Sequence, residues 1–430
     1  MPDLSKGEGV VSIMAGKYFI RVLSGTSSPL VFPTLWKKPL RMATVFMPQV
    51  MKIGAGVSRQ LPDVLRSLNL CQPLLVTDSF VRKAGMMLQT ENALSDSGMR
   101  FHTFCGAIPD PTTDSLVPAL ELMKRTPQID CVVGFGGGSS LDSAKVLGVL
   151  SQNPGRPLRE LKVPAEVPMG LPVLAIPTTA GTGSEATRVA IVTDSESEEK
   201  MLCAGPGLLP IAALVDFELT LAKPMRLTAD SGLDALCHAL EAYVSRRAHP
   251  FTDSLALTAL NTIFAHLRTA CREPSDREAR EKLMLAATQV NERVLFTLTG
   301  MPMNAGALMH AFLQAGIAFS NSSVTLIHGM SRPIGAFFHV PHGLSNAMLL
   351  PSITKFSICG APQRYAQAAR AMGVAGWSAS DAQATSALLD GLLSLTQDLQ
   401  GWCFCLFLSR GIDRVWLGQG VAQASGWQVG

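Results

Sequence analysis

Cys131-Val-Val-Gly-Phe-Gly-Gly-Gly-Ser-Ser-Leu-Asp-Ser-Ala-Lys145 decides how this chain folds. Its opening, Cys131 to Phe135, is a short apolar, β-branched run and reads as a strand. Gly136, Gly137, Gly138 and Ser139 follow directly, and Asp142 lies at the start of a helix-length segment, 141–150. Glycines without a Cβ let backbone approach a pyrophosphate, while the free N–H groups and positive dipole of a helix start hold its charge. Three glycines alone also read as a plain tight turn; the strand–turn–helix placement favours the phosphate-binding reading.

Working outward, 74–77, 173–176, 189–193 and 212–215 are runs of the same kind, with helix-length segments such as 63–67 between them. Alternation from about Ala43 to Pro224 predicts a mostly parallel, Rossmann-like α/β domain over 42–224, with helices on both faces of the sheet. Pro177-Thr-Thr-Ala-Gly-Thr-Gly-Ser-Glu185 follows a strand. It reads either as a second nucleotide-contacting wall of small hydroxyl residues or as a polar loop. Asp78 ends the strand 74–77. A carboxylate there would accept from both ribose hydroxyls and repel a 2′-phosphate, favouring NAD over NADP, or it would cap the next helix.

After Pro224 long helical patterns take over at 230–245, 252–267 and 277–289 and continue to about Leu399, so an all-helical domain is expected over 225–430. Asp234 and His238 stand four apart among Leu233, Leu236, Leu240 and Tyr243, which recur at helical spacing. Carboxylate and imidazole therefore project from neighbouring positions of one helix. His328 and His342 lie beyond, with a Gly/Pro-broken stretch between them. Taken singly, all four read equally well as ordinary helix and turn residues. Together, three nitrogens and one oxygen without thiolate suit Fe(II) or Zn(II) better than calcium or magnesium.

The 430 residues allow two or three domains, and 47% hydrophobic residues supply ample cores. A net charge of +3 without a basic block gives no sign of nucleic acid as a partner. No apolar run approaches the roughly 20 residues that span a bilayer. Nine scattered cysteines, with only Cys403 and Cys405 close together, indicate neither a disulfide framework nor a thiolate zinc site. A reducing, cytoplasmic setting is the expectation. Residues 1–41 hold six Lys/Arg and two acids and read as an unstructured extension. So few acids would also suit a mitochondrial leader, but no amphipathic Arg-rich helix accompanies them.

With these residues assembled, the chain resembles the iron-containing (group III, metal-dependent) alcohol dehydrogenase family from about Met42 to Leu399. The matching pieces are Gly136-Gly-Gly-Ser-x-x-Asp-x-Ala-Lys145, Thr178-Thr-Ala-Gly-Thr-Gly-Ser-Glu185, Gly232-Leu-Asp-Ala-Leu-x-His-Ala-Leu-Glu-Ala-Tyr243, and His328-Gly-Met through Pro341-His-Gly-Leu-Ser-Asn-Ala-Met-Leu-Leu-Pro351. The resemblance implies a dinucleotide-binding domain, a helical domain and an active site in the cleft between them. It implies Asp234, His238, His328 and His342 as metal ligands. Gly137, Gly138 and Ser139 would hold the pyrophosphate, Thr178, Thr179 and Thr182 would line the cofactor, Lys200 would reach its ribose, and Asp78 would select NAD. A small alcohol or aldehyde substrate and a homo-oligomer are the expected partners.

The chain departs from the family at three places. Arg332 stands where many relatives carry a second histidine, and a guanidinium that stays protonated cannot shuttle protons. Arg332 and His339 are therefore the catalytic candidates at that position, with His339 or a water taking any proton relay. Residues 290–314 interrupt the family pattern and read as an intron translated in frame or as a particular loop, and the tail after about Leu399 does not match. Alternatives within the family are a glycerol or 1,3-diol dehydrogenase and a hydroxyacid–oxoacid transhydrogenase. Outside it stand a dehydroquinate-synthase-like lyase and an inactive product of a disturbed gene.

Overall fold

A computed structural model describes residues 12–15, 18–21, 43–288, 315–338 and 340–400. The expectations for His339, for 290–314 and for the tail beyond 400 fall outside the described residues. Met1–Met42 is set apart from the rest as a unit of its own. In it β1 (Ser12–Ala15) and β2 (Tyr18–Arg21) pair antiparallel, Ser12 opposite Arg21, where the sequence suggested no element. Their Ile, Tyr and Phe residues favour a pleated strand.

The second unit opens with β3 (Val50–Ile53) and α1 (Leu61–Ser67), then β4 (Pro73–Asp78), α2 (Ser79–Lys83) and α3 (Leu88–Asp96). β5 (His102–Ala107), α4 (Thr113–Arg125), β6 (Cys131–Gly136), α5 (Gly138–Gln152) and β7 (Val173–Pro177) continue the alternation. The hairpin β8 (Val189–Thr193) and β9 (Lys200–Ala204) precedes β10 (Ala212–Val215). The main sheet has the order β3-β10-β7-β6-β4-β5, parallel throughout.

Successive residues of these strands feed opposite faces. Leu74, Val76 and Val132 enter one core, and Leu75, Val133, Phe135, Leu174 and Ile176 enter the other. Both faces are covered, which is why strands such as β6 and β7 are continuous apolar runs. One expectation is corrected here. The run 189–193 is not a strand of the parallel sheet but pairs antiparallel with β9. Its burial alternates, with Ala190 and Val192 inside, as suits a sheet packed on one face.

The chain runs from β4 to β5 on one side, then crosses so that β6 lies on β4's other flank. Such a reversal opens a crevice at the strands' C-terminal ends. Asp78 and Gly136 are those ends.

From Met225 the described chain is helical: α6 (Met225–Val244), α7 (Pro250–Arg272), α8 (Arg277–Thr288), α9 (Ala315–Asn321), α10 (Leu326–Phe338), α11 (His342–Ser357), α12 (Pro362–Ala371) and α13 (Asp381–Gln400). α6 is buried nearly all round between Thr228 and Tyr243, as expected of a helix enclosed by others. It packs against α7, α9 and α11. Gly343 permits the last contact: a Cβ there would lie 2.3 Å from the Asp230 carbonyl oxygen, closer than any side chain allows. The start of α11 is thereby pressed onto α6. Among the described residues no helix is long and apolar enough to cross a membrane.

Candidate functional site

The contact at Gly343 brings His342 beside Asp234. One ligand atom from each of Asp234, His328 and His342 lies within 4.8 Å of the others. His328 Nε2 is 3.4 Å and His342 Nε2 3.6 Å from Asp234 Oδ1. Asp234 and His328 are buried, whereas the His342 side chain is 43% exposed and forms the open side.

His238, the fourth expected ligand, lies beside this trio without joining its close set. Its Nδ1 is 3.9 Å from Asp234 Oδ2, and its ring stacks between Phe319 and His328 with centroids 4.2 and 4.3 Å away. That Nδ1 is buried and has no hydrogen-bond partner. Burial pushes the His238 imidazole down to about 3, against the pull of Asp234, so it stays neutral and keeps a free lone pair. Burial alone would raise Asp234, but His238, His342 and His328 hold it well below the carboxylate range. One carboxylate, three imidazoles, two of which burial holds neutral, and an orphaned buried nitrogen make a donor set that fits a divalent ion of borderline softness.

Two residues that sequence reasoning missed complete the cluster. Glu241, 1% exposed, accepts from Thr325 Oγ1 and the Ile327 N–H, both at 2.7 Å, and is bonded to His328 Nδ1. A carboxylate on one ring nitrogen fixes the tautomer, leaving Nε2 to face Asp234. Burial opposes the charge, yet Glu241 and Asp234 raise the His328 imidazole to about 9. Asn346 Nδ2 reaches all three close residues: Asp234 Oδ1 at 2.7 Å, His328 Nε2 at 3.1 Å and His342 Nε2 at 3.3 Å. Spacing could have flagged both. Glu241 lies one turn beyond His238 on α6, and Asn346 one turn beyond His342 on α11.

The expected nucleotide side assembles at the sheet's C-terminal edge. Asp78 Oδ1 caps α2 through the Phe80 and Val81 N–H groups, at 2.8 and 2.9 Å. Its Oδ2 accepts from Ser140 Oγ at 3.3 Å, beside Gly136. Gly136 has φ 154°, and a Cβ there would lie 2.5 Å from Ser140 Oγ. α5 starts at Gly138 with no side-chain cap, leaving its first N–H groups for another acceptor. Ser139 sits in that first turn, partly buried.

The 178–183 loop is a wall shared by both halves. On one side Thr179 abuts Gly137, and Thr182 lies 2.9 Å from where a Gly138 Cβ would be. On the other, Gly181 meets the Ser231 backbone of α6 and Gly183 meets Gly316 of α9. The Thr178 N–H bonds the Gly136 carbonyl at 2.8 Å, while its buried Oγ1 has no partner. A pocket beside Thr179 is lined by Thr220, Lys223, Leu227 and Arg280, and Lys223 lies over the Phe80 ring.

Asp142 is a correction to the expected cofactor set. Its Oδ1 accepts from Ser184 Oγ at 2.6 Å and its Oδ2 from the Ile191 N–H at 2.9 Å, so both oxygens are committed to protein. The fully buried Lys145 joins them, donating to Ser184 Oγ, Thr187 Oγ1 and the Val189 carbonyl. Asp142 thus positions the loop and β8. Lys200 pairs with Asp110 at 2.9 Å and comes close to Gly335 of α10. Arg332 stands one turn after His328 on α10, partly buried.

Comparison with known proteins sets this geometry in context. The profile for iron-containing alcohol dehydrogenases matches residues 48–217, and the profile for that family's C-terminal part matches 228–305 and 301–401. The two C-terminal matches meet within 290–314. The chain is 33% identical to the NAD-dependent methanol dehydrogenase of Bacillus methanolicus, over 77% of this chain and 80% of that one. It is 31% identical to an NADPH-dependent butanol dehydrogenase of Clostridium saccharobutylicum, over 82% of each. The crystal structure of a 1,3-propanediol oxidoreductase superposes with a TM-score of 0.75 at 30% identity, covering 84% of this chain and 87% of that one.

Proposed function

The chain belongs to the iron-containing alcohol dehydrogenase family, and from that premise we propose that it interconverts a small alcohol and its carbonyl partner by hydride exchange with NAD at a divalent metal, iron foremost. The observation that carries this reading is the convergence of Asp234, His328 and His342 within 4.8 Å, with Glu241 bonded to the rear nitrogen of His328. We assign these three, with His238 beside them, as the residues that hold the ion. Bound there, a divalent ion would supply Lewis-acid polarisation of the substrate oxygen, and NAD would supply the hydride acceptor.

The remaining work falls to the chain itself. Asp234 brings the negative charge, and Glu241, bonded to Nδ1, leaves the Nε2 lone pair of His328 for the ion. Gly136, Gly137, Gly138 and Ser139 receive the pyrophosphate at the uncapped start of α5, and Thr178, Thr179 and Thr182 close over it. Asp78 takes the ribose hydroxyls while it caps α2. Relatives include both NAD- and NADPH-dependent enzymes, so this carboxylate is the local reason for preferring NAD. The nucleotide half is taken as 42–224 and the metal half as 225–430, divided at Pro224, which precedes α6.

The test is anaerobic purification with metal analysis, followed by NAD reduction against a panel of primary alcohols, wild type beside His328→Ala. Loss of both metal and NADH formation is expected in the variant. Unchanged turnover would remove His328 from the site and with it the reading.

A further inference from the structure

The charges around the candidate ligands leave one cation over. Asp234 and Glu241, 2% and 1% exposed, together balance a divalent ion. Lys200 is balanced by Asp110 at 2.9 Å. Arg332 has no such counterpart: among the described residues its guanidinium makes neither an ion pair nor a hydrogen bond. The carboxylate whose field acts on it is Glu241, whose oxygens are already taken by Thr325, Ile327 and His328.

Position makes that surplus relevant to the substrate. Arg332 is four residues after His328 on α10, and such neighbours share a helix face with Cβ atoms about 5–6 Å apart. Its charge reaches His342, the exposed side of the cluster through which a substrate would enter. The guanidinium is partly withdrawn from water, and burial is the largest influence on it. A desolvated, unpaired cation is costly unless an anion meets it. Its planar fork matches a carboxylate bidentately.

We propose that Arg332 sets the substrate class: the site takes an alcohol, or the matching aldehyde, that carries a carboxylate at its far end, and the guanidinium grips that group. This rests on the dehydrogenase reading above. Arg332 then acts as a specificity-determining residue, holding the substrate tail while the hydroxyl faces Asp234, His328 and His342. A neutral alcohol of equal length would leave the cation unmet.

The test uses a matched pair, 4-hydroxybutyrate and 1-butanol, with full-length protein loaded with Fe(II) or Zn(II). Wild type should favour the acid in kcat/KM by about 10- to 100-fold, the range of a charge-assisted hydrogen bond. Arg332→Gln should lower that acid-to-alcohol ratio at least tenfold, and Arg332→Lys, which keeps the charge but loses the fork, should fall between. A wild-type ratio at or below one, or a Gln variant that changes both substrates in equal proportion, overturns the proposal. Calorimetric binding of 4-hydroxybutyrate without NAD reads the same contact without turnover. If neither substrate is oxidised, the dehydrogenase reading falls, and this arm still decides. Binding at least tenfold weaker in Arg332→Gln supports the grip, and equal affinity overturns it.

Discussion

Glu241→Gln tests the site where its logic is tightest. The substitution keeps the shape but exchanges one acceptor oxygen for an amide donor. Thr325 Oγ1 and the Ile327 N–H both give to Oε1, so the new amide must face His328 Nδ1. The ring then has to accept on Nδ1 and carry its proton on Nε2, the nitrogen meant for the metal. Loss of such an orienting partner typically weakens metal binding about 10- to 100-fold, or about 1.4–2.7 kcal/mol. Proton competition runs the other way. With Glu241 in place His328 titrates near 9, so below that pH a metal must displace a proton, and wild-type affinity should rise about tenfold per pH unit up to it. The variant loses the main cause of that raised value and escapes much of the competition. The full deficit is therefore expected near pH 9 and a smaller one near pH 7, measured as zinc affinity against a chelator buffer. Equal affinities near pH 9, or a deficit that grows as pH falls, would refute the reasoning.

Three further outcomes are expected. Asp78→Ser keeps an N-cap acceptor and removes the charge, so the melting temperature should hardly move while the NADH-to-NADPH preference in kcat/KM falls about tenfold or more; an unmoved preference leaves Asp78 as a cap alone. Gly138→Ala places a Cβ 2.9 Å from Thr182 Cγ2, which should cost about 1–3 kcal/mol in denaturant melts and weaken NADH binding by fluorescence titration; full binding would show that the turn has room to spare. Lys145→Met strands Asp142 as a buried charge, at about 3–5 kcal/mol. Because burial already raises the Asp142 pKa, its folded form binds a proton more readily than the unfolded chain. The variant should thus be steadier near pH 5 than near pH 8, and urea midpoints that rise with pH would contradict this.

Much of the molecule was legible in the sequence. Apolar β-branched runs alternating with helical segments marked the parallel sheet, and the glycine triplet at Gly136 marked its ligand-facing edge. The four-residue spacing of Asp234 and His238 showed a shared helix face. The hairpin of β8 and β9 was misread because Val189, Ala190, Ile191 and Val192 are all apolar, which conceals an alternation that only burial reveals. Glu241 passed unnoticed because a glutamate within a helix usually faces water, and nothing local says that this one lies under His328. Asp142 looked like part of the phosphate turn because it stands beside it, while its partners, Ser184 and Ile191, arrive from a later part of the chain.

Periodicity, turn chemistry and capping depend on a residue and its near neighbours, so the order of residues determines them directly. Which carboxylate orients which imidazole, and which cation is left without an anion, depends on how far α10 and α11 can approach α6. That distance is set by packing, at contacts such as Gly343 on Asp230, and packing belongs to the folded chain alone.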